Sequence, residues 1–354
     1  MTQMTIRFLP AAALVALIAP RMLPGQTGAA QAFRFLPNTS RTQTEEIGMA
    51  ITTITGMTSR DDFAKGLLSV QGTPDQLKLG AWLFARLNKS APVAADEAVH
   101  EYRLADGTHN VVRLFFLDRG QTDQELREFL SMLRSIADLP RAFTCNSIKA
   151  VALRGTSNQM ALADWLVNEL AKTKPAPRQH SASPEYLLPA ALSPGPNENV
   201  VRIFYFANTP AILDFPEVAF LIQTLADFQR VDRYDSLHAL AVRGSSDQLA
   251  LTEWLFNELD QPTHPNPSHK SDVYTYRVAD RENGVAVRVF YLPHIQNVQE
   301  FDRIAIKVRD EEKIRRVFTF TSQRAIAVRG TTDQLAATER LLAESDPADF
   351  PKAQ

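Results

Sequence analysis

One sentence is written four times along this chain. LRGTSNQMALADWLVNEL starts at Leu153, VRGSSDQLALTEWLFNEL at Val242, VRGTTDQLAATERLL at Val328 and the looser VQGTPDQLKLGAWLFARL at Val70. The marker glycines Gly72, Gly155, Gly244 and Gly330 stand 83, 89 and 86 residues apart. Solenoid repeats recur at roughly 20–50 residues, so this period describes a small domain in tandem rather than a solenoid turn. The repeated stretch has two chemical readings. A strand, a glycine, a hydroxyl residue and a helix can cradle a phosphate, or they can be a building block with no chemistry.

The last copy shows the order of elements most clearly. DVYTYRVAD (272–280) and VAVRVFYLP (285–293) alternate as strands. NVQEFDRIAIKVRDEE (297–312) carries a helical apolar stripe. IRRVFTFT (314–321) and RAIAVRG (324–330) alternate again around a short connection and form a hairpin, and 331–344 closes the unit as a helix. The core order is β-α-β-β-α with one strand in front. The second and third copies repeat it; the first starts late and lacks the leading strand. The expected class is α+β, with modules over 33–89, 99–172, 184–260 and 272–345 and a tail over 346–354. Pro- and Ser-containing stretches at 172–184 and 261–272 read as extended linkers, which are compatible with modules that stack and with modules that move independently.

The glycine-linked motif reads as a helix cap. Thr73, Thr156, Ser245 and Thr331 each precede by three residues a glutamine: Gln76, Gln159, Gln248 and Gln334. Ser/Thr-x-x-Gln is a capping box, in which hydroxyl and amide satisfy each other's backbone N–H groups. A phosphate would need those N–H groups free. Asp75, Asp247 and Asp333 stand beside them, and no lysine follows at P-loop spacing. The glycine is expected to allow a tight strand-to-helix turn. Trp82, Trp165 and Trp254 share one helix position at the edge of the apolar stripe, with Arg340 in the last copy. They suit either boundary packing or an anchor at a module or partner interface.

Little else announces chemistry. The seven histidines form no metal-binding spacing, and His264 and His269 fall in a linker. The single cysteine, Cys145, sits in an expected strand and reads as a packed residue. No cofactor and no metal site is expected. Arg154, Arg243 and Arg329 recur before the glycine, with Gln71 in the first copy, and Arg113, Arg202 and Arg288 recur in the preceding strand. Placed on one exposed sheet face, these six could bind an anionic polymer such as polysaccharide or nucleic acid. The net charge of −2 argues against nucleic acid. Residues 1–32 read as a secretory leader: Arg7, an apolar run of 13 residues from Phe8 to Pro20, then small residues ending near Ala32. Cleavage removes Arg7 and Arg21, takes the charge from −2 to −4, and leaves no stretch apolar enough to cross a membrane.

The β-α-β-β-α unit ending AVRGSSDQLALTEWLFNELDQP resembles the KH-like periplasmic N-terminal modules of bacterial secretins. The likeness covers residues 33 to about 345 as four units, and Glu258-Leu259-Asp260 keeps that family's Leu-Asp helix ending. The resemblance implies a non-catalytic, ring-building role and contact with other envelope proteins, with homo-oligomers among them. The secretin pore domain has no counterpart in these four units. The KH-like RNA-binding fold shares the element order, but its Gly-x-x-Gly loop is missing here. The expected function is a periplasmic or secreted protein-interaction scaffold, serving as an assembly or accessory component of a secretion or pilus-type system. Binding of an anionic polymer through the arginines is the second reading, and a hydrolase with an unrecognised site the third.

Overall fold

A computed structural model describes residues 29–62, 65–89, 99–105, 107–117, 122–170, 183–192, 198–208, 214–260, 274–276, 285–295 and 297–346. Residues 1–28, where most of the leader is expected, residues 171–182 and 261–273, which hold most of the two expected linkers, and most of the expected tail lie outside the described residues. The chain divides into two compact units. Unit 1 holds residues up to Leu126 together with Leu139–Met160, and unit 2 holds Arg127–Asp138 and everything from Ala161 onward.

Each module is a small antiparallel sheet with two helices. Module 1 has β1 (Ala29–Arg34), α1 (Arg41–Thr55), β2 (Thr58–Asp62), β3 (Leu67–Gly72) and α2 (Pro74–Leu87). Module 2 has β4 (Val99–Arg103), β5 (Val111–Phe116), α3 (Asp123–Ser135), β6 (Arg141–Cys145), β7 (Ala150–Gly155) and α4 (Ser157–Leu170). Module 3 repeats this as β8 (Glu185–Leu187), β9 (Val200–Tyr205), α5 (Asp214–Leu225), β10 (Arg230–Tyr234), β11 (Ala239–Gly244) and α6 (Ser246–Leu259). Module 4 follows with β12 (Tyr274–Tyr276), β13 (Val285–Tyr291), α7 (Val298–Glu311), β14 (Arg316–Phe320), β15 (Ala325–Thr331) and α8 (Thr332–Ser345). The class is α+β, as the sequence implies. Module 1 has strand order β1-β3-β2, and the other sheets run β4-β5-β7-β6, β8-β9-β11-β10 and β12-β13-β15-β14. The leading strand is therefore present in three modules and missing from the first among the described residues.

Alternation in the central strands gives each later sheet two apolar faces. In module 4, Phe290, Ile326 and Val328 join Phe301, Ile304 and Val308 of α7 and Leu335 and Leu342 of α8 in one core. Val287, Val289, Tyr291, Ala325 and Ala327 point the other way and merge with the core of module 3. Both faces being buried explains why β11 and β15 read as nearly continuous apolar runs. The hairpin connections are single 3-10 turns at Asn146–Ile148, Asp235–Leu237 and Thr321–Gln323, each followed by a left-handed residue: Lys149, His238 or Arg324, at φ 46–50°.

The capping boxes form as read. Thr73, Thr156, Ser245 and Thr331 accept from the glutamine N–H at 3.2–3.3 Å, and the glutamine Oε1 accepts from the cap N–H at 2.8–3.0 Å. The glutamine also has a task that the sequence did not disclose. Its Nε2 donates to the end of the module's first helix: Gln76 to the Thr55 carbonyl (3.1 Å), Gln248 to Ala226 (2.9 Å) and Gln334 to Glu312 (3.0 Å). One side chain thus serves the start of one helix and the end of another.

The glycine needs a correction. None of the four marker glycines has a positive φ, so no left-handed turn demands it. The reason is space, because the glutamine folds back over the glycine. A Cβ on Gly244 would meet Phe228 Cε1 at 2.5 Å and Gln248 Oε1 at 2.7 Å; on Gly155 it would meet Leu139 Cδ2 at 2.6 Å and Gln159 Oε1 at 2.8 Å. Gly244→Ala is expected to cost about 1–3 kcal/mol by overpacking, read as a lowered urea midpoint at unchanged slope.

The leader expectation also meets a constraint. β1 begins at Ala29 and pairs from Ala29 opposite Gly72 to Arg34 opposite Leu67, so a cut after Ala32 would remove four of its six residues.

Candidate functional site

The recurrent residues gather at the junctions between successive modules. Three junctions are described, one in unit 1 and two in unit 2, and each uses the same parts. The first helix of one module lies against the sheet face of the next.

In unit 1, α1 packs on β6 and on the turn after it. Glu46 of α1 accepts from the Ser147 N–H at 2.9 Å and from its hydroxyl at 2.5 Å. Arg154, at the end of β7, donates through Nη1 to the Ile54 carbonyl in the last turn of α1 at 3.1 Å. Trp82 of α2 packs on Tyr102 of the leading strand β4, with ring centroids 5.4 Å apart. Val112, Leu114, Cys145, Ala150 and Ala152 of module 2 join the core of module 1.

The junctions of unit 2 repeat the glutamate and arginine contacts. Glu128 of α3 accepts from the Asp235 N–H at 3.0 Å, and Glu217 of α5 accepts from the Thr321 N–H and hydroxyl at 3.1 and 3.0 Å. Arg243 donates to the Ile136 carbonyl at 3.1 Å and to the Leu192 carbonyl. Arg329 donates to the Leu225 carbonyl at 2.5 Å and to Asp227 at 3.0 Å. A guanidinium on the last carbonyls of a helix satisfies orphan acceptors and meets the negative end of the dipole. Trp165 of α4 packs on Tyr186 of β8 at 5.5 Å. Tyr205 and Tyr291 donate to the Glu169 and Glu258 carbonyls near the ends of α4 and α6. The alanines of Ala-x-Ala-x-Arg, at 150 and 152, 239 and 241, and 325 and 327, are fully or almost fully buried; their small side chains let a helix approach the sheet closely.

Two expectations about these residues change. First, the six arginines do not share a face. Arg113 stands opposite Leu153 while Arg154 stands opposite Val112, and the pairs Arg202/Arg243 and Arg288/Arg329 separate in the same way. Directly opposed residues share a face, so the two sets point to opposite sides of the sheet. One set serves the junctions: Arg243 is 1% exposed and Arg329 9%. The other set is paired, Arg113 with Glu101, Arg202 with Glu185 and Glu253, and Arg288 with Glu339. They form no open cationic stripe for an anionic polymer. Second, of the two arrangements that the linkers allow, modules 3 and 4 take the stacked one, since they share one apolar core.

Cys145 belongs to this apparatus. It is 1% exposed, its Sγ lies 3.8 Å from the Glu46 carbonyl, and burial followed by the Glu46 charge pushes its thiol far above the usual range. A buried neutral thiol is a packing residue and a poor nucleophile. It is expected to resist a thiol-labelling reagent in the native chain and to react fully in urea. Fast native labelling would contradict this placement. No group of three or more His, Cys, Asp or Glu residues that could hold a metal occurs among the described residues. No helix among them is long and apolar enough to cross a membrane.

The sequence reading missed Glu46, Glu128 and Glu217. The signal was present as an offset: each stands eight residues before the helix carbonyl that the arginine takes, at Ile54, Ile136 and Leu225. The same alignment puts Arg303 and Glu311 at the matching positions of α7, both exposed.

No protein-family model matches the chain, and no curated protein matches it. Among solved structures, ExeD of Aeromonas hydrophila aligns at 14% identity over 68% of this chain and 42% of its own, with a TM-score of 0.15. The ETEC pilotin–secretin AspS–GspD complex aligns at 11% identity over 75% of this chain and 41% of that one, with a TM-score of 0.16. An aspartate kinase from Synechocystis aligns at 10% identity over 92% and 55%, with a TM-score of 0.17. This chain spans about two fifths of the length of the first two. At these TM-scores the superpositions carry no argument about what it does.

Proposed function

We propose that this chain is a non-enzymatic interaction scaffold of the bacterial cell envelope, an accessory or assembly component of a secretion or pilus-type system. One observation carries the reading: the recurrent polar and aromatic side chains are spent on joining modules. Glu46, Glu128 and Glu217 grip the next module's turn, Arg154, Arg243 and Arg329 cap the previous module's helix, and Trp82 and Trp165 meet the next leading strand. A chain that commits its repeated chemistry to holding modules in register presents surfaces rather than a reaction centre. The leader-like first residues support a place outside the cytoplasm, and the resemblance of the repeated unit to secretin N-terminal modules supports the process.

The test combines location with contact. The full gene is expressed in a Gram-negative host with a photo-crosslinking amino acid at Phe220, 59% exposed, or Leu187, 70% exposed. The mature chain should appear in the osmotic-shock fraction and give a discrete crosslinked adduct with an envelope protein. A chain that stays in the cytoplasm with Met1 intact, or that yields no adduct from either position, would sink the reading.

A further inference from the structure

We propose that the outer edge of β1 is a docking surface for an extended segment of another protein, which adds to it as an antiparallel fourth strand. This rests on the export reading with its cut ahead of Ala29, so that the residues before β1 leave and β1 itself stays in the mature chain.

The geometry of the other modules shows what the edge is built to take. In module 2 the strand equivalent to β1 is β5, and its outer edge is covered by β4, from Val99 opposite Phe115 to Arg103 opposite Val111. In module 3, β8 covers β9, and in module 4, β12 covers β13. Among the described residues β1 is paired on one side only, with β3. An uncovered strand edge is a row of unsatisfied donors and acceptors, and native sheets blunt it with charge, proline or a bulge. β1 has none of these until its last residue. Its sequence is AAQAFR, and its register with β3 runs without interruption over all six residues.

The surrounding residues state the partner's chemistry. Alignment on the marker glycines puts Gln31 where modules 2 and 3 have Arg113 and Arg202, the arginines that Glu101 and Glu185 answer. No carboxylate is demanded there, and an amide or hydroxyl would suffice. On the opposite face, Ala30 replaces the Val112 that stands opposite Tyr102, leaving room for an aromatic side chain on the arriving strand. Arg34, Arg60 and Ser69 are exposed on that same face. The incoming segment should therefore be extended, with an aromatic and an acidic residue two apart. A second copy in head-to-tail order does not fit. Module 4 presents Arg303, Lys307 and Arg340, all exposed, where modules 1–3 present their junction surface, and these would face Arg34 and Arg60. Like charges at such a contact oppose it.

The test uses the mature full-length chain and a synthetic peptide of residues 98–106 carrying His100→Glu, AVEEYRLAD, which keeps the β4 sequence around Tyr102 and sets an acidic residue two before it. Hydrogen exchange is followed across the chain while the peptide is titrated. Saturable slowing, by at least about fivefold, at the β1 amides is expected, with β5, β9 and β13 unchanged. A peptide N-methylated at alternate residues should do nothing, because it cannot complete the ladder. No slowing at saturating peptide overturns the proposal. So does a β1 already protected in the chain alone, whether at every concentration (its own upstream residues cover the edge) or increasingly with concentration (a second copy does). Intact mass of the secreted chain tests the export reading separately.

Discussion

Arg243→Ala is expected to destabilise unit 2 by about 3 kcal/mol, the largest effect of any arginine among the six. Arg243 is 1% exposed and supplies donors to two carbonyls, Ile136 just past the end of α3 and Leu192 in the segment before β9. Truncation leaves both acceptors without that donor, and an unsatisfied buried group costs about 1–3 kcal/mol. It also removes the buried aliphatic stem of the side chain. Burial, then the neighbouring Arg230 guanidinium, lowers the Arg243 pKa, so part of the gain offsets the cost of holding a charge there. This keeps the estimate at the lower end for a broken buried pair, about 3–5 kcal/mol. Gln71→Ala, at the matching position of module 1, should stay within about 0.5 kcal/mol, because the exposed Ser69 beside it shows that no helix covers that face among the described residues. Urea melts of the two variants measure both. Equal losses would mean that the position matters for the module and not for the junction.

The second large effect should come from exchanging one glutamate for the residue that replaces it at the end of the series. Glu217→Arg is expected to cost about 2–4 kcal/mol. It removes the acceptor for the Thr321 N–H and hydroxyl, and it places a cation beside a sheet whose Arg316 and Arg329 already reach the end of α5. The reverse change, Arg303→Glu on α7, should shift stability by no more than about 0.5 kcal/mol, because Arg303 is exposed and grips no turn among the described residues. Calorimetry on both variants would show a strong asymmetry. A symmetrical pair of losses would dissociate the glutamate from the junction.

The fold was largely legible because its signals are local. Short apolar, β-branched runs marked β13 and β15, the stripe through Phe301, Ile304, Ala305 and Val308 marked α7, and the Ser/Thr-x-x-Gln boxes placed four helix starts. Each depends on residues within one turn or one strand of each other. The junctions are different. Arg154 and the Ile54 carbonyl are 100 residues apart, and Glu217 and Thr321 are 104 apart. No local period reports such pairs. Alternation along each strand alone is compatible with one surface for the arginines, because the register between strands is not a local signal. The register puts Arg154 opposite Val112 and so turns the two sets apart. The tryptophans suit two readings in sequence, since their helix position lies at the edge of the stripe and Tyr102 or Tyr186 arrives from the next module. A usable hint lay in the breaks of the repeat. Arg is missing only from the first copy, at Gln71, and Trp only from the last, at Arg340. A residue lost at one end of a series is one whose partner would have stood beyond that end.

Whether these residues join modules or merely stabilise their own can be read in a single comparison. Hydrogen exchange is measured along the full chain for wild type and for Arg243→Ala. Arg243 belongs to module 3, but its carbonyl partner Ile136 belongs to module 2. Faster exchange should therefore appear in residues 127–138 as well as in β11, with α7 and α8 unchanged. Acceleration confined to module 3, with residues 127–138 exchanging as in wild type, would show that the arginine holds no junction.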